Sequence, residues 1–122
     1  MIKVSWVEIP VRDIERALTF YRAVFELGAV DVVDDGVRKT ATLTGDAALG
    51  TSLNQTPNFT PNNTGTLAYF NAGSNVTAFL DRATAAGGTI IAPKTAMGGG
   101  FFYALVQDTE GNVFALSSAE PE

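Results

Sequence analysis

The feature that most constrains this chain is an internal repeat. Apolar residues recur at helical spacing after Asp13, at Ile14, Ala17, Leu18, Tyr21, Val24 and Phe25. A matching set follows Asn75, at Val76, Phe79, Leu80, Ala83 and Ala86. Each set forms one apolar face of a helix. The two align at an offset of 62 residues, with Ile14 on Val76, Leu18 on Leu80 and Ala23 on Ala85. Asp13 is a good N-cap, as is Ser74 or Asn75, and Gly28 and Gly87-Gly88 stand where helix stops belong. A repeated unit of this length means two copies of one small module.

The segments around the helices read as strands. Residues 2–9 (IKVSWVEI) alternate, with Val4, Trp6 and Glu8 on one face and Ser5, Val7 and Ile9 on the other. Pro10 ends that strand, since it has no N–H to donate. AVDVV and VRKTATLT flank Asp34-Asp35-Gly36, which reads as a hairpin turn rather than a metal loop. AALGTSLNQ follows a Gly45-Asp46 break. After TPNFTPNNTG comes strand TLAYFNA, then the second helix, then TIIAPKT, FFYALVQ and NVFALSS. Each half therefore reads βαβββ. The expected division is one domain over 1–122, with module one at about 1–55, a connector at 56–64 and module two at about 65–122. The class is α+β.

Composition then removes whole classes of chemistry. The 122 residues contain no His and no Cys. Serine and cysteine nucleophile systems that need His are impossible, and so are disulfides, zinc-cysteine sites and haem held by His. Carboxylates, Lys, Tyr, Ser and Thr remain. Asp31, Asp34 and Asp35 form the one acidic group besides Glu120 and Glu122 in the tail. A net charge of −5 without a Lys/Arg cluster argues against nucleic acid. No apolar run approaches the roughly 18–20 residues of a membrane span. MIKVSWVEI lacks the apolar core of a signal peptide, so the expected location is cytoplasmic. Charged residues make up 17%, below the usual quarter, which fits an oligomer interface, an apolar cavity or simply a small, tightly packed domain.

Two motifs carry a resemblance. V-R-D-I-E-R-A-L-T-F-Y (11–21) is similar to a V-x-D-x-x-x-x-x-x-F-Y opening, and D-T-E-G-N-V-F-A-L (108–116) to a D-P-x-G-N-x-x-E-L ending. Both resemble the vicinal oxygen chelate superfamily of glyoxalase I, bleomycin-resistance and fosfomycin-resistance proteins and extradiol dioxygenases. The resemblance covers nearly the whole chain. It implies two βαβββ modules paired to form a cup-shaped mixed sheet with the helices outside.

The resemblance also implies four positions for metal ligands. Counting seven residues back from Asp13 reaches Trp6, and seven back from Asn75 reaches Ala68. The glutamate position of the closing motif holds Ala115, and the remaining one aligns with Ser52. Trp, Ser, Ala and Ala cannot hold a divalent ion, so no metal or other cofactor is expected. The parity of the strands places Trp6, Glu8, Ser52 and Asn54 in the cup from module one, and Ala68, Phe70, Ala115 and Ser117 from module two. Tyr103 and Gln107 share a strand face that could reach a ligand. Trp6, Glu8, Ser52, Asn54, Phe70 and Tyr103 are the candidate ligand-binding residues, although Trp6 could equally plug the former metal position as core. Met97-Gly98-Gly99-Gly100 reads as a plain turn or a flap beside the cup.

The expected function is metal-independent binding of a small organic ligand by a homodimer, as the resemblance implies. The alternative is an enzyme, either a diverged lyase or isomerase with Glu8 as general base or a dioxygenase-related metal enzyme whose ligands lie at other positions. A third reading is a partner-interaction module that uses its sheet edges. For Glu8 itself, a carboxylate in solvent or paired within the chain competes with a ligand-binding role.

Overall fold

A computed structural model describes residues 1–45 and 50–120. Asp46 and the first three residues of the AALGTSLNQ strand lie outside that range, as does Glu122. The elements follow the expected order. Module one comprises β1 (Trp6–Pro10), α1 (Ile14–Phe25), β2 (Val32–Asp34), β3 (Lys39–Gly45) and β4 (Gly50–Gln55). Module two comprises β5 (Tyr69–Asn71), α2 (Val76–Ala85), β6 (Thr89–Gly98), β7 (Phe101–Gln107) and β8 (Val113–Ala119).

Local signals explain most boundaries. The Asp13 carboxylate accepts from the N–H groups of Glu15 and Arg16, and Asn75 accepts from that of Ala78. Each satisfies donors that the first turn leaves unpaired. Helix α1 ends earlier than Gly28, on Glu26 in the left-handed region at φ 54°. Its backbone N–H bonds the Arg22 carbonyl there, and its carboxylate lies 3.5 Å from Arg82 of α2. Helix α2 stops at Gly87, whose φ of 96° suits glycine.

The strands form two separate four-stranded sheets, ordered β1-β4-β3-β2 and β5-β8-β7-β6. In each, the first strand runs parallel to its neighbour and the others are antiparallel. The Asp-Asp-Gly segment turns as expected between β2 and β3. Asp34 accepts from the Gly36 N–H, and Asp35 from those of Val37 and Arg38. Among the described residues the two sheets are separate, with no strand pairing between β1 and β5.

The two helices serve a common core. Ile9, Ala41 and Leu53 meet α1 from the first sheet, and Ala104, Val106, Phe114 and Leu116 close the same cluster from the second. Phe20, Tyr21 and Phe25 of α1 reach across to Phe114, with ring centroids 5.8–6.5 Å apart. Burying such rings contributes roughly 1.5–3 kcal/mol each. No helix is long and apolar enough to cross a membrane among the described residues.

Candidate functional site

The sheet of module one places its site residues by alternation. Val7 and Ile9 pack toward the core while Trp6 and Glu8 point the other way, as the sequence predicts. Glu8 stands opposite Ser52, Ser52 opposite Thr42, and Thr40 opposite Asn54. On this face a chain of hydrogen bonds runs from strand to strand. The Trp6 indole Nε1 donates to Ser52 Oγ at 3.0 Å, Ser52 Oγ donates to Asn54 Oδ1 at 2.7 Å, and Asn54 Nδ2 donates to Thr40 Oγ1 at 3.2 Å. Ser52 and Asn54 are each 1% exposed, so the network satisfies polar groups that water does not reach.

Glu8 is partly exposed and has a cation beside it. Arg38 Nη2 donates to Glu8 Oε2 at 2.9 Å, with both side chains about two-fifths in solvent. Of the two expectations for Glu8, the structure provides the internal pair. The Arg38 guanidinium thus occupies one of the two Glu8 carboxylate oxygens.

Module two presents a matching face on Tyr69, Tyr103, Leu105, Ala115 and Ser117. Tyr69 and Leu105 stand opposite Ala115, and Tyr103 opposite Ser117. Phe70 is not on this face. It is partly buried and packs toward the helices, 5.5 Å from Phe25 and 5.6 Å from Phe114 between ring centroids, so its expected place in the cup is corrected. Ala68 shifts with it.

The cause is one extra residue. The Val11 N–H donates to the Asn54 carbonyl, and the Ala72 N–H to the equivalent Ser117 carbonyl. Val11 therefore matches Ala72, an offset of 61, while the helices repeat at 62. Module one passes from Val11 to its cap Asp13 through a single residue. Module two needs Gly73 and Ser74 before Asn75, and Gly73 takes a φ of 65°. Counting back across that insertion slips the strand by one and reverses every side chain. Leu67, not Ala68, is the counterpart of Trp6, and Tyr69 is the counterpart of Glu8.

The site residues thus fall into two groups. Trp6, Glu8, Ser52 and Asn54 come together on module one, and Tyr103 lies on the separate sheet of module two. The four positions that a metal would use now read Trp6, Ser52, Leu67 and Ala115. The one hydroxyl among them already bonds the indole and the Asn54 amide. No cluster of three acidic residues capable of holding a metal occurs among the described residues. These side chains do not fit a divalent ion. Gly98, Gly99 and Gly100 all have positive φ, and Gly99-Gly100 form the tight turn between β6 and β7.

Between the edges of β1 and β5 lies a cavity of about 990 Å³. Val4, Leu67 and Tyr69 line it from the exposed side, and Val7, Phe70 and Phe114 from the core. Phe59 and Asn62 of the connector form part of its wall.

The closing motif proves to be a clasp between the modules. Glu110 is 5% exposed and accepts from the N–H groups of Arg12 and Asp13, both at 2.9 Å. It also receives Arg16 Nε at 2.7 Å and Nη2 at 2.9 Å. Burial acts to raise its pKa, but the hydrogen bonds from Arg16, Asp13, Arg12 and Thr109 outweigh it and hold the carboxyl below its usual value. Asn112 Nδ2 donates to the Pro10 carbonyl at 2.7 Å. The D-T-E-G-N segment itself forms a turn between β7 and β8. Nothing local in a turn reveals a partner a hundred positions away.

The glyoxalase/bleomycin resistance protein/dioxygenase superfamily profile matches residues 3–116. Solved structures with the same fold include a glyoxylase/bleomycin resistance protein/dioxygenase domain from Frankia sp. EAN1pec. It has a TM-score of 0.75 and 14% identity, over 98% of this chain and 93% of that one. The fosfomycin resistance protein FosX from Listeria monocytogenes superposes with a TM-score of 0.70 at 16% identity, over 100% and 94%. A glyoxalase/bleomycin resistance protein from Albidiferax ferrireducens T118 gives 0.69 at 22% identity, over 94% and 97%. A search of curated protein sequences finds no match. With two βαβββ modules, both motifs in place and a profile match across nearly all of its length, the chain belongs to the glyoxalase/bleomycin resistance protein/dioxygenase superfamily.

Proposed function

We propose that this protein binds a small organic molecule without a metal, in the cytoplasm and as a homodimer. The observation that carries this reading is the content of the four ligand-type positions. Trp6, Ser52, Leu67 and Ala115 offer an aromatic face, one engaged hydroxyl and two apolar side chains. A surface of that kind recognises an organic body by shape and apolar contact, with few polar groups to orient it.

The separation of the two half-sites supports the dimer. Each carries ligand-facing residues, and the free edges of β1 and β5 are open to another strand. Pairing those edges with a second copy would set Trp6 and Glu8 of one protomer opposite a module-two face of its partner, completing a cup. The apolar walls of the 990 Å³ cavity, with Val4 67% and Tyr69 55% exposed, support that contact. Catalysis by Glu8 as a general base is disfavoured by its pairing with Arg38.

The test uses Trp6, the single tryptophan of the chain, as reporter. Its emission is followed while the protein is titrated with nickel, zinc, manganese and iron(II), then with a panel of small aromatic and cationic compounds. The reading expects saturation with an organic compound and none with a metal. Glu8→Gln should abolish binding of a cationic compound while leaving the melting temperature within a few degrees. A saturable metal response would overturn metal independence, and a monomer in light scattering at micromolar concentration would overturn the dimer.

A further inference from the structure

A groove of about 610 Å³ lies between the β2–β3 turn and the connector, at the end of the module-one sheet. Three cations line it, Arg12, Arg38 and Lys39, against one acid, Asp34, whose Oδ1 accepts the Gly36 N–H. That concentration of positive charge stands out in a chain with 13 acidic and 8 basic residues. Among the described residues the side chains of Arg12 and Lys39 form no ion pair. Arg38 gives Nη2 to Glu8, yet its Nε is the single buried side-chain polar atom without a partner among the described residues. A buried donor with no acceptor is uncommon in a folded protein and calls for a physical reason.

We propose that this groove is a second binding site, for a small organic molecule with an oxyanion head, a phosphate or a carboxylate. The head would lie among the three cations. A guanidinium turned onto two oxygens of one planar group forms paired hydrogen bonds and gives Nε an acceptor, which the single contact to Glu8 does not provide. Lys39 adds a point charge. Val37, Pro57 and Phe59 supply an apolar wall for the body attached to that head. The site is separate from the Trp6–Ser52 face. The two adjoin at Arg38, where an oxyanion would compete with Glu8.

The experiment follows backbone amide resonances of Gly36, Val37 and Thr56 while the full-length protein is titrated with phenyl phosphate, benzoate and inorganic phosphate. These run at constant ionic strength set with sodium chloride. Saturable shifts confined to the groove are expected with phenyl phosphate or benzoate, and the stronger of the two identifies the head group. Inorganic phosphate should bind more weakly because it cannot use the apolar wall. Arg12→Gln combined with Lys39→Gln removes two exposed cations and should weaken binding at least about tenfold, a difference of about 1.4 kcal/mol. Lys3→Gln, outside the groove, should leave it unchanged. No saturable shift with any of the three, or equal affinity in the double variant, would overturn the proposal. Because the readout lies in the groove, failure of the Trp6 titration leaves this test independent.

Discussion

The Tyr21 hydroxyl donates a 2.6 Å hydrogen bond to Asp108 Oδ2, joining the last residue of the opening motif to the first residue of the closing one. Both groups are buried. Asp108 also accepts from the N–H groups of Glu110 and Asn112, so it shapes the turn that carries Glu110 to the start of α1. The two signatures by which the chain is recognised are therefore two halves of one structural joint. They hold module to module.

Tyr21→Phe should lower stability by about 1–2 kcal/mol near neutral pH, since Asp108 loses a buried donor but keeps its backbone partners. Burial, then the neighbouring Asp108 charge, raises the Tyr21 pKa well above its ordinary value near 10. The folded state thus favours the protonated phenol. Its contribution is fully present below pH 10 and is lost as pH rises through the folded-state value. Denaturant titrations at pH 7 and above pH 10 should show the gap between wild type and variant narrowing on the alkaline side. A gap that widens would contradict the joint.

Glu110→Gln tests the same joint from the acid side. The folded carboxyl lies below its ordinary value of 4.5, so its stabilisation is present above that pH and is lost as pH falls through the depressed value. Arg16 is about half in solvent, which screens its share, and the two backbone donors remain the less replaceable partners. The expected loss at pH 7 is about 1.5–3 kcal/mol. It should shrink steadily below pH 4.5 in the same measurement.

Periodicity and caps made the modules legible, because a helix face of six apolar residues and an Asp at its start act locally. The alternation of β1 was legible for the same reason. What escaped the sequence were distances set by other elements. The one-residue insertion at Gly73-Ser74 reversed the reading of Phe70, since a strand of three residues carries too short a pattern to fix its own register. The Glu8–Arg38 pair and the reach of Glu110 to Arg16 join segments 30 and 94 residues apart. Helix α1 stops at Glu26 rather than Gly28, two residues before the glycine that local rules prefer.

Ser52→Ala removes the middle of the chain from Trp6 to Thr40. Asn54 Oδ1 would lose its donor at a position 1% exposed, at a cost of about 1–2 kcal/mol. In a domain of this size that lowers the melting temperature by roughly 3–8 °C. Trp6 emission should change with it, because the indole N–H loses its acceptor. Ser52→Thr keeps the hydroxyl and should retain both properties if there is room for the methyl group. An alanine variant with unaltered melting and emission would show that the network holds nothing in place.

Three glycines at the helix ends separate packing from backbone geometry. At Gly88 an added Cβ would lie 2.7 Å from Phe20 Cε1 and 3.0 Å from the Ala83 carbonyl oxygen. Phe20 is itself wedged edge-on against Tyr21 and Phe114, so it cannot swing aside. Gly88→Ala should therefore cost about 1–3 kcal/mol through overpacking. Gly87 has room, its nearest neighbour being Thr109 Cγ2 at 3.6 Å, but its φ is 96°, so Gly87→Ala should cost roughly 1–2 kcal/mol through the left-handed backbone alone. Gly28 has neither restriction, with no atom within 4 Å of the added Cβ. Alanine there should leave stability unchanged or raise it by up to about 1 kcal/mol by restricting the unfolded chain. Urea midpoints for the three variants should rank Gly28→Ala above wild type or level with it, and both others below. A neutral Gly88→Ala would mean that Phe20 is free to move, and that the helix–helix contact beneath it is looser than its close ring packing implies.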